Sequence, residues 1–235
     1  MKNKYFDLID QTFYFPQEGF DLSQNGTLDF HGIPLKHLID KYGTPFKITY
    51  LPKIGSQIRK ARNLFTRAMK AAGYNGEYRY CYCTKSSHFS YIVEEALKHD
   101  VNLETSSAFD IELIKKLHKA GKIDEDITIV SNGFKPQNYL QGIVDLINDG
   151  FENVIPVVDN IEELDYYEKH VKGVCKLGIR IATEEEPNFE FYTSRLGIRA
   201  SEVLPFYEEK IANNEKFQLE MLHFFVDTGI KDSMY

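Results

Sequence analysis

The chain has 235 residues, 43% of them hydrophobic and 27% charged, and a formal net charge of −7 at pH 7. This is the composition of a folded globular protein, which excludes intrinsic disorder as a description of the whole. The acidic balance creates no field toward polyphosphate and no basic patch offsets it, so no nucleic-acid partner is expected.

In chain order, an irregular opening contains one short strand-like run, Thr27–Phe30, within an N-terminal segment expected at residues 1–34. From residue 35 to 235 short β-rich runs alternate with amphipathic stretches. The expected strands are Phe46–Tyr50, Tyr78–Cys83, Val101–Thr105, Ile127–Ser131, Val154–Val158, Leu177–Ala182 and Phe217–Phe225. Their mean spacing is roughly 29 residues, close to what a (β/α)₈ barrel of about 250 residues requires. Helices are expected to start where strands stop. Ser107 with Asp110 and Asn160 with Glu163 read as capping boxes, and Pro136 suits a first helical position ahead of the stripe Tyr139, Ile143, Leu146 and Ile147.

Seven β/α units are one short of a closed barrel, which would leave unpaired N–H and C=O rows. The expectation is therefore the N-terminal portion of a longer protein, with a complete seven-stranded open barrel as the alternative. No apolar run reaches the length of a membrane span, and the N-terminal Met-Lys-Asn-Lys is not followed by a signal-like apolar stretch. No membrane association is expected. The odd set Cys81, Cys83 and Cys175 points away from a disulfide framework and toward a reducing compartment, the cytoplasm. Neither these cysteines nor the histidines have metal-ligand spacing, so no metal is expected.

In a barrel of this kind reactive groups sit where strands end. Along Tyr78-Arg-Tyr-Cys-Tyr-Cys-Thr-Lys85 the period of two puts the tyrosines on one face and Arg79, Cys81, Cys83 and Lys85 on the other. Lys85 then stands at the mouth of the interior, where desolvation would lower its pKa and free a nucleophilic amine. A surface lysine in a strand-to-helix loop is the alternative. By the same parity Glu104 and Arg180 face inward, as part of a polar constellation or of an interior ion-pair layer.

These residues fall in a series of motifs. It runs Leu35…Tyr42-Gly-Thr-Pro45, Tyr82-Cys-Thr-Lys85, Glu104-Thr-Ser-Ser107, Asn132-Gly-Phe-Lys135, Val158-Asp-Asn160…Glu163-Leu164, Gly178-Ile-Arg-Ile-Ala-Thr183, Ser194-Arg-Leu-Gly197 and Leu222-His-Phe-Phe225. The series resembles the pyridoxal-phosphate-dependent decarboxylases of basic amino acids: the arginine, ornithine and diaminopimelate decarboxylases. Asn132-Gly-Phe-Lys135 and the Leu-His-Phe run look most like arginine decarboxylases.

The resemblance implies an α/β fold, the alanine-racemase-like (β/α)₈ TIM barrel, incomplete here at about seven units and without the family's C-terminal β-domain. It implies pyridoxal 5'-phosphate as cofactor, Lys85 as the catalytic Schiff-base lysine, and Glu104, Arg180, Phe225 and Thr228 as further cofactor-binding positions. It also implies a small amino-acid substrate, arginine first, converted to agmatine for polyamine synthesis, with ornithine and diaminopimelate as alternatives. Arg195 stands near the family's dimer contact, which implies a homodimer when intact.

Several departures accompany the resemblance. Phe225 stands where the family has a second histidine stacked on the cofactor, and it supplies an aromatic face without a proton. Asp227 and Thr228 replace a glycine and a serine, His223 reads as a core histidine one layer deeper, and the chain has no Gly-Gly pair for a phosphate cradle. The isolated chain is accordingly expected to retain cofactor poorly. A non-catalytic barrel relative with a binding or regulatory role, and an amino-acid racemase, are the other readings.

Overall fold

The computed structural model describes residues 18–24, 26–182 and 196–225. They divide between Tyr50 and Leu51 into two units. In the first, β1 (Phe20–Leu22), β2 (Leu28–Phe30) and β3 (Ile33–Pro34) form an antiparallel meander followed by α1 (Leu35–Tyr42). The first turn closes as Ser23 N–H donates to Thr27 O at 2.9 Å and Thr27 N–H donates to Ser23 Oγ at 3.1 Å.

The expected strand Phe46–Tyr50 belongs to neither sheet. Its alternation of Phe46, Ile48 and Tyr50 suits a strand, but alternation without a ladder partner forms none. Tyr50 instead stacks on His31, ring centroids 3.4 Å apart, with Phe30 edge-on to it at 6.0 Å.

The second unit opens with α2 (Pro52–Ala72), where Pro52 sits in the first turn and left-handed Gly73 closes the end by donating to Lys70 O. Six strands joined by five helices then lay down one parallel sheet in simple sequential order. Its strands are β4 (Cys81–Cys83), β5 (Asn102–Thr105), β6 (Thr128–Ser131), β7 (Asn153–Val158), β8 (Cys175–Arg180) and β9 (Phe217–His223). The intervening helices are α3 (Ser90–Leu97), α4 (Ala108–Lys119), α5 (Gln137–Asn148), α6 (Glu162–His170) and α7 (Ala200–Lys210). The alternation read from the sequence thus appears as six strands rather than seven, and among the described residues the sheet does not close.

One face of this sheet is covered by helices. Leu103, Ile129, Val158, Leu177 and Ile179 pack with Ile111, Ile114, Tyr139, Ile143, Leu146 and Tyr167 in the main core. Tyr80 and Tyr82 turn to the same side, against Ile58, Ala96 and Val101, and Tyr78 stacks on Phe65 of α2 at 4.1 Å. The stripe on α5 is buried as its spacing requires, and Tyr139 is anchored through its hydroxyl 2.9 Å from Thr105 Oγ1, which donates to Ser131 Oγ at 3.1 Å.

The helix starts follow the sequence chemistry with local differences. Glu163 N–H donates to Asn160 Oδ1 at 3.2 Å, the cap expected there. Ser107 is not an acceptor but a donor to Asp110 Oδ2 at 3.0 Å, and the same oxygen accepts Ser106 N–H at 2.9 Å. Pro136 stands one position earlier than expected, at the N-cap of α5.

Strand register decides what meets on the uncovered face. Cys83 lies beside Glu104, Glu104 beside Val130, and Arg180 beside His223. Between Leu177 and Gly178 the β8–β9 register slips: Leu177 pairs with Leu219, but Gly178 pairs with Met221, leaving Glu220 as an extra residue on β9. This bulge reverses the parity of the residues beyond it. Leu219 packs on the helix-side core, whereas His223 ends on the face that carries Arg180.

Edge strands have one unpaired ladder side, so backbone amides of β4 and β9 should exchange with deuterium well ahead of those of the interior strand β6. Residue-resolved hydrogen exchange checks this: protection of Cys81–Cys83 equal to that of Thr128–Ser131 would mean that the edge is covered.

Candidate active site

The uncovered face gathers polar side chains at the C-terminal ends of four strands. Asn132, the first residue after β6, is their common contact. Its Nδ2 donates to Glu104 Oε1 at 3.1 Å and lies 3.3 Å from His223 Nε2, while its Oδ1 accepts Gly133 N–H at 2.8 Å and Arg180 Nη1–H at 3.4 Å. With two donors on its oxygen, the carboxamide must aim its nitrogen at the histidine. Nε2 is then an acceptor, which is the neutral form with the proton on Nδ1. Burial, and next the positive charge of Arg180, lower the His223 pKa below the ordinary histidine value. His223 Nδ1 is buried with no hydrogen-bond partner among the described residues.

Behind this layer lies a second cluster. The Lys135 side chain is fully buried, its Nζ donating to Gly133 O at 3.0 Å and to Val157 O. Glu163 Oε2 is 3.0 Å from Nζ, within ion-pair range but off the direction of a hydrogen bond. Asp159 places one carboxylate oxygen 3.8 Å from Lys135 Nζ and the other 3.9 Å from Arg180 Nε. Two carboxylates therefore share one ammonium, with Arg180 alongside. Burial raises the Glu163 pKa to about 7, opposed by Lys135 and reinforced by Asp159.

The positions singled out in the sequence fall as follows. Glu104 and Arg180 face inward and are joined through Asn132. Lys85 follows β4 by two residues, but its side chain is exposed and makes no ion pair among the described residues, so the enclosure expected for it is absent. The reason is its place in the Thr84–Ser86 turn on the sheet's edge strand, where no second neighbour encloses it. Phe225 lies two residues past β9, with 51% of its surface exposed. Thr228, Asp227 and Arg195 lie outside the described residues.

The environment of Cys81 and Cys83 disfavours the thiolate form. Burial, then the Glu104 charge, pushes Cys81 up to about 11, and the same two causes raise Cys83, which lies 3.8 Å from Glu104 Oε1. No group of three or more His, Cys, Asp or Glu side chains suited to a metal ion occurs among the described residues.

Sequence reasoning missed His223, Asn132, Lys135, Asp159 and Glu163 as site residues. His223 was read as a hydrogen-bonded core histidine one layer below Phe225, and its meeting with Asn132 depends on a contact between strands that spacing does not show. The others carry one usable signal: each is a polar residue at or just beyond the end of a strand, or in the first turn of the helix that follows.

No protein-family model matches the chain. Among curated proteins it is 24% identical over 234 residues to the biosynthetic arginine decarboxylase of Rhodopirellula baltica, covering 90% of this chain and 34% of that protein. It is 23% identical to that of Bacteroides thetaiotaomicron, covering 84% and 33%. The chain thus spans about a third of these relatives' length. Of solved structures, a diaminopimelate decarboxylase from M. jannaschii in complex with L-lysine superposes with a TM-score of 0.72 at 16% identity, over 89% of this chain and 48% of that one. The biosynthetic arginine decarboxylase of Campylobacter jejuni gives 0.64 at 19% identity, over 95% and 37%. The fold is that of the alanine-racemase-like barrel decarboxylases, present here as an incomplete barrel. Within that class, the chain is similar in sequence to the N-terminal part of the biosynthetic arginine decarboxylases.

The raised Glu163 pKa has a sign that can be tested. Between 4.5 and about 7 the folded state holds a proton that the unfolded state has lost. The associated stability is complete below 4.5 and lost as pH rises through 7. Glu163→Gln removes this dependence. From about pH 5 to about pH 8 the parent should lose up to about 3 kcal/mol relative to the variant, read from urea unfolding. His223 acts in the opposite direction but equally in both proteins, so it cancels.

Proposed function

We propose that this chain is the barrel portion of a pyridoxal-phosphate-dependent decarboxylase of basic amino acids, with arginine as the favoured substrate. The observation that carries the reading is one inner sheet face. It holds Glu104, Arg180 and His223 joined by Asn132, with the amine Lys85 two residues beyond Cys83, the register partner of Glu104. The extended similarity to arginine decarboxylases supports the same reading.

These residues fit the ring end of the cofactor. An exposed amine is available for carbonyl chemistry, a guanidinium and a carboxylate flank it, and an imidazole has a free buried nitrogen. For the phosphate end the sequence offers Thr228 as a candidate and no Gly-Gly pair. When bound, pyridoxal phosphate supplies the electron sink for the carbon that loses carbon dioxide.

The chain's own contribution is orientation and charge. Lys85 provides the attachment amine. Glu104 and Arg180 present opposite charges held at a fixed separation by the Asn132 carboxamide, and this limits reorganisation as charge shifts. His223 is neutral and can hold a proton at Nδ1. Phe225 offers a ring face for stacking. Residues 35–235 would form the cofactor-binding barrel, with residues 1–34 belonging to or bordering the family's β-domain. The product of arginine decarboxylation, agmatine, would enter polyamine synthesis in the cytoplasm, and the working unit would be a homodimer. Ornithine and diaminopimelate are the alternative substrates.

A second reading, a non-catalytic relative that binds a partner or the cofactor, is favoured by Phe225 in place of the family's stacking histidine. Pyridoxal phosphate titration followed by borohydride trapping and peptide mapping tests the cofactor. The expected result is a new absorbance band and a label on Lys85, both lost in Lys85→Ala. A label scattered over surface lysines would overturn the assignment. Release of carbon dioxide from labelled arginine, ornithine or diaminopimelate by the intact gene product would separate catalysis from binding alone.

A further inference from the structure

The proposed site leaves the buried cluster of Lys135, Asp159 and Glu163 without a role. We infer that Lys135 is a positioning residue that clamps the loop after β6 against β7 and thereby holds Asn132 in the orientation joining Glu104, Arg180 and His223. The inference deepens the proposed function and rests on its placing of the site.

Three observations carry it. First, Nζ reaches across elements, donating to Gly133 O in its own loop and to Val157 O on β7. A surface ion pair has no such reach. Second, Gly133 is both the clamped residue and the one that orients Asn132, since its N–H donates to Asn132 Oδ1 while its carbonyl accepts from Lys135. Gly133 has φ +83°, a conformation that glycine adopts freely and other residues rarely, so the turn depends on glycine at this position and on contacts to hold it there. Third, Lys135 and Arg180 approach opposite oxygens of Asp159. Lys135 neutralises part of that carboxylate, and without it Asp159 would draw Arg180 away from the cavity. A merely structural ion pair would explain the burial of Lys135. It does not require that the clamped residue be the one that aims Asn132.

The test uses the full chain and needs no cofactor. Lys135→Met combined with Glu163→Gln removes the ammonium, replaces a carboxyl that is protonated below about pH 7 by a neutral amide, and leaves Asp159 paired with Arg180, so that no uncompensated carboxylate is added to the interior. The readout is the titration of the His223 imidazole by NMR, assigned by its absence in His223→Asn. The groups facing that ring are Glu104, Asp159, Arg180 and Lys135, with Asn132 in contact. In the double variant the midpoint should rise by about half a pH unit toward the ordinary histidine value. Asn132→Ala should cause a similar rise, and adding it to the double variant should cause little more, because both act through one carboxamide. Ile143→Val, which loosens the core elsewhere, should leave the midpoint in place. An unchanged midpoint in the double variant, or effects that simply add to those of Asn132→Ala, would overturn the inference. Failure of pyridoxal phosphate to label Lys85 would sink the functional reading instead, while the His223 titration would still decide the role of Lys135.

Discussion

The orientation of one carboxamide organises the strand-end cluster. Asn132 receives two N–H groups on its oxygen, and so its nitrogen has only Glu104 and His223 to meet. An amide flip would place its nitrogen against the donors of Gly133 and Arg180 and leave its oxygen facing a carboxylate. Four strands thus converge on a group that has one satisfactory arrangement. Through it a positive and a negative side chain are kept near each other without direct neutralisation, an arrangement suited to a ligand carrying charges of both signs.

Charge balance behind that cluster follows the same economy. Lys135, Asp159 and Glu163 are nearly or fully buried, and isolated charges there would be costly. The carboxylates outnumber the ammonium, and the excess is met partly by Arg180 and partly by the raised proton affinity of Glu163. The protonation of a residue in the first turn of α6 is therefore linked to the guanidinium at the end of β8, although the two are not in contact in the structure described.

Much of the architecture was legible because it rests on local rules. Alternating strand and helix patterns, the stripe on α5 and the cap at Asn160 depend on spacing and short-range hydrogen bonds, and they stand in the structure nearly where the residues put them. Phe46–Tyr50 shows the limit, since a strand is defined by a partner that its own residues do not encode. Glu104 and Arg180 were readable from parity alone. Lys85 was placed correctly in the chain but assigned too much burial, because enclosure depends on neighbours on both sides of its strand. Asn132, Lys135 and Asp159 were visible within motifs, yet their roles depend on contacts between elements that sequence spacing does not measure.

The bulge in β9 sets apart two properties usually treated as one: what a residue is and where it points. His223 reaches the site because Glu220, three residues before it, is looped out of the ladder. The same residues laid in an unbroken ladder, with Glu220 paired instead of looped out, would send the imidazole into the helix layer and deliver an apolar neighbour, Leu222 or Phe224, to the cavity instead. The chemical identity of this corner of the site is thus stored in where the ladder slips, a property of the pairing of two strands and not of any one side chain.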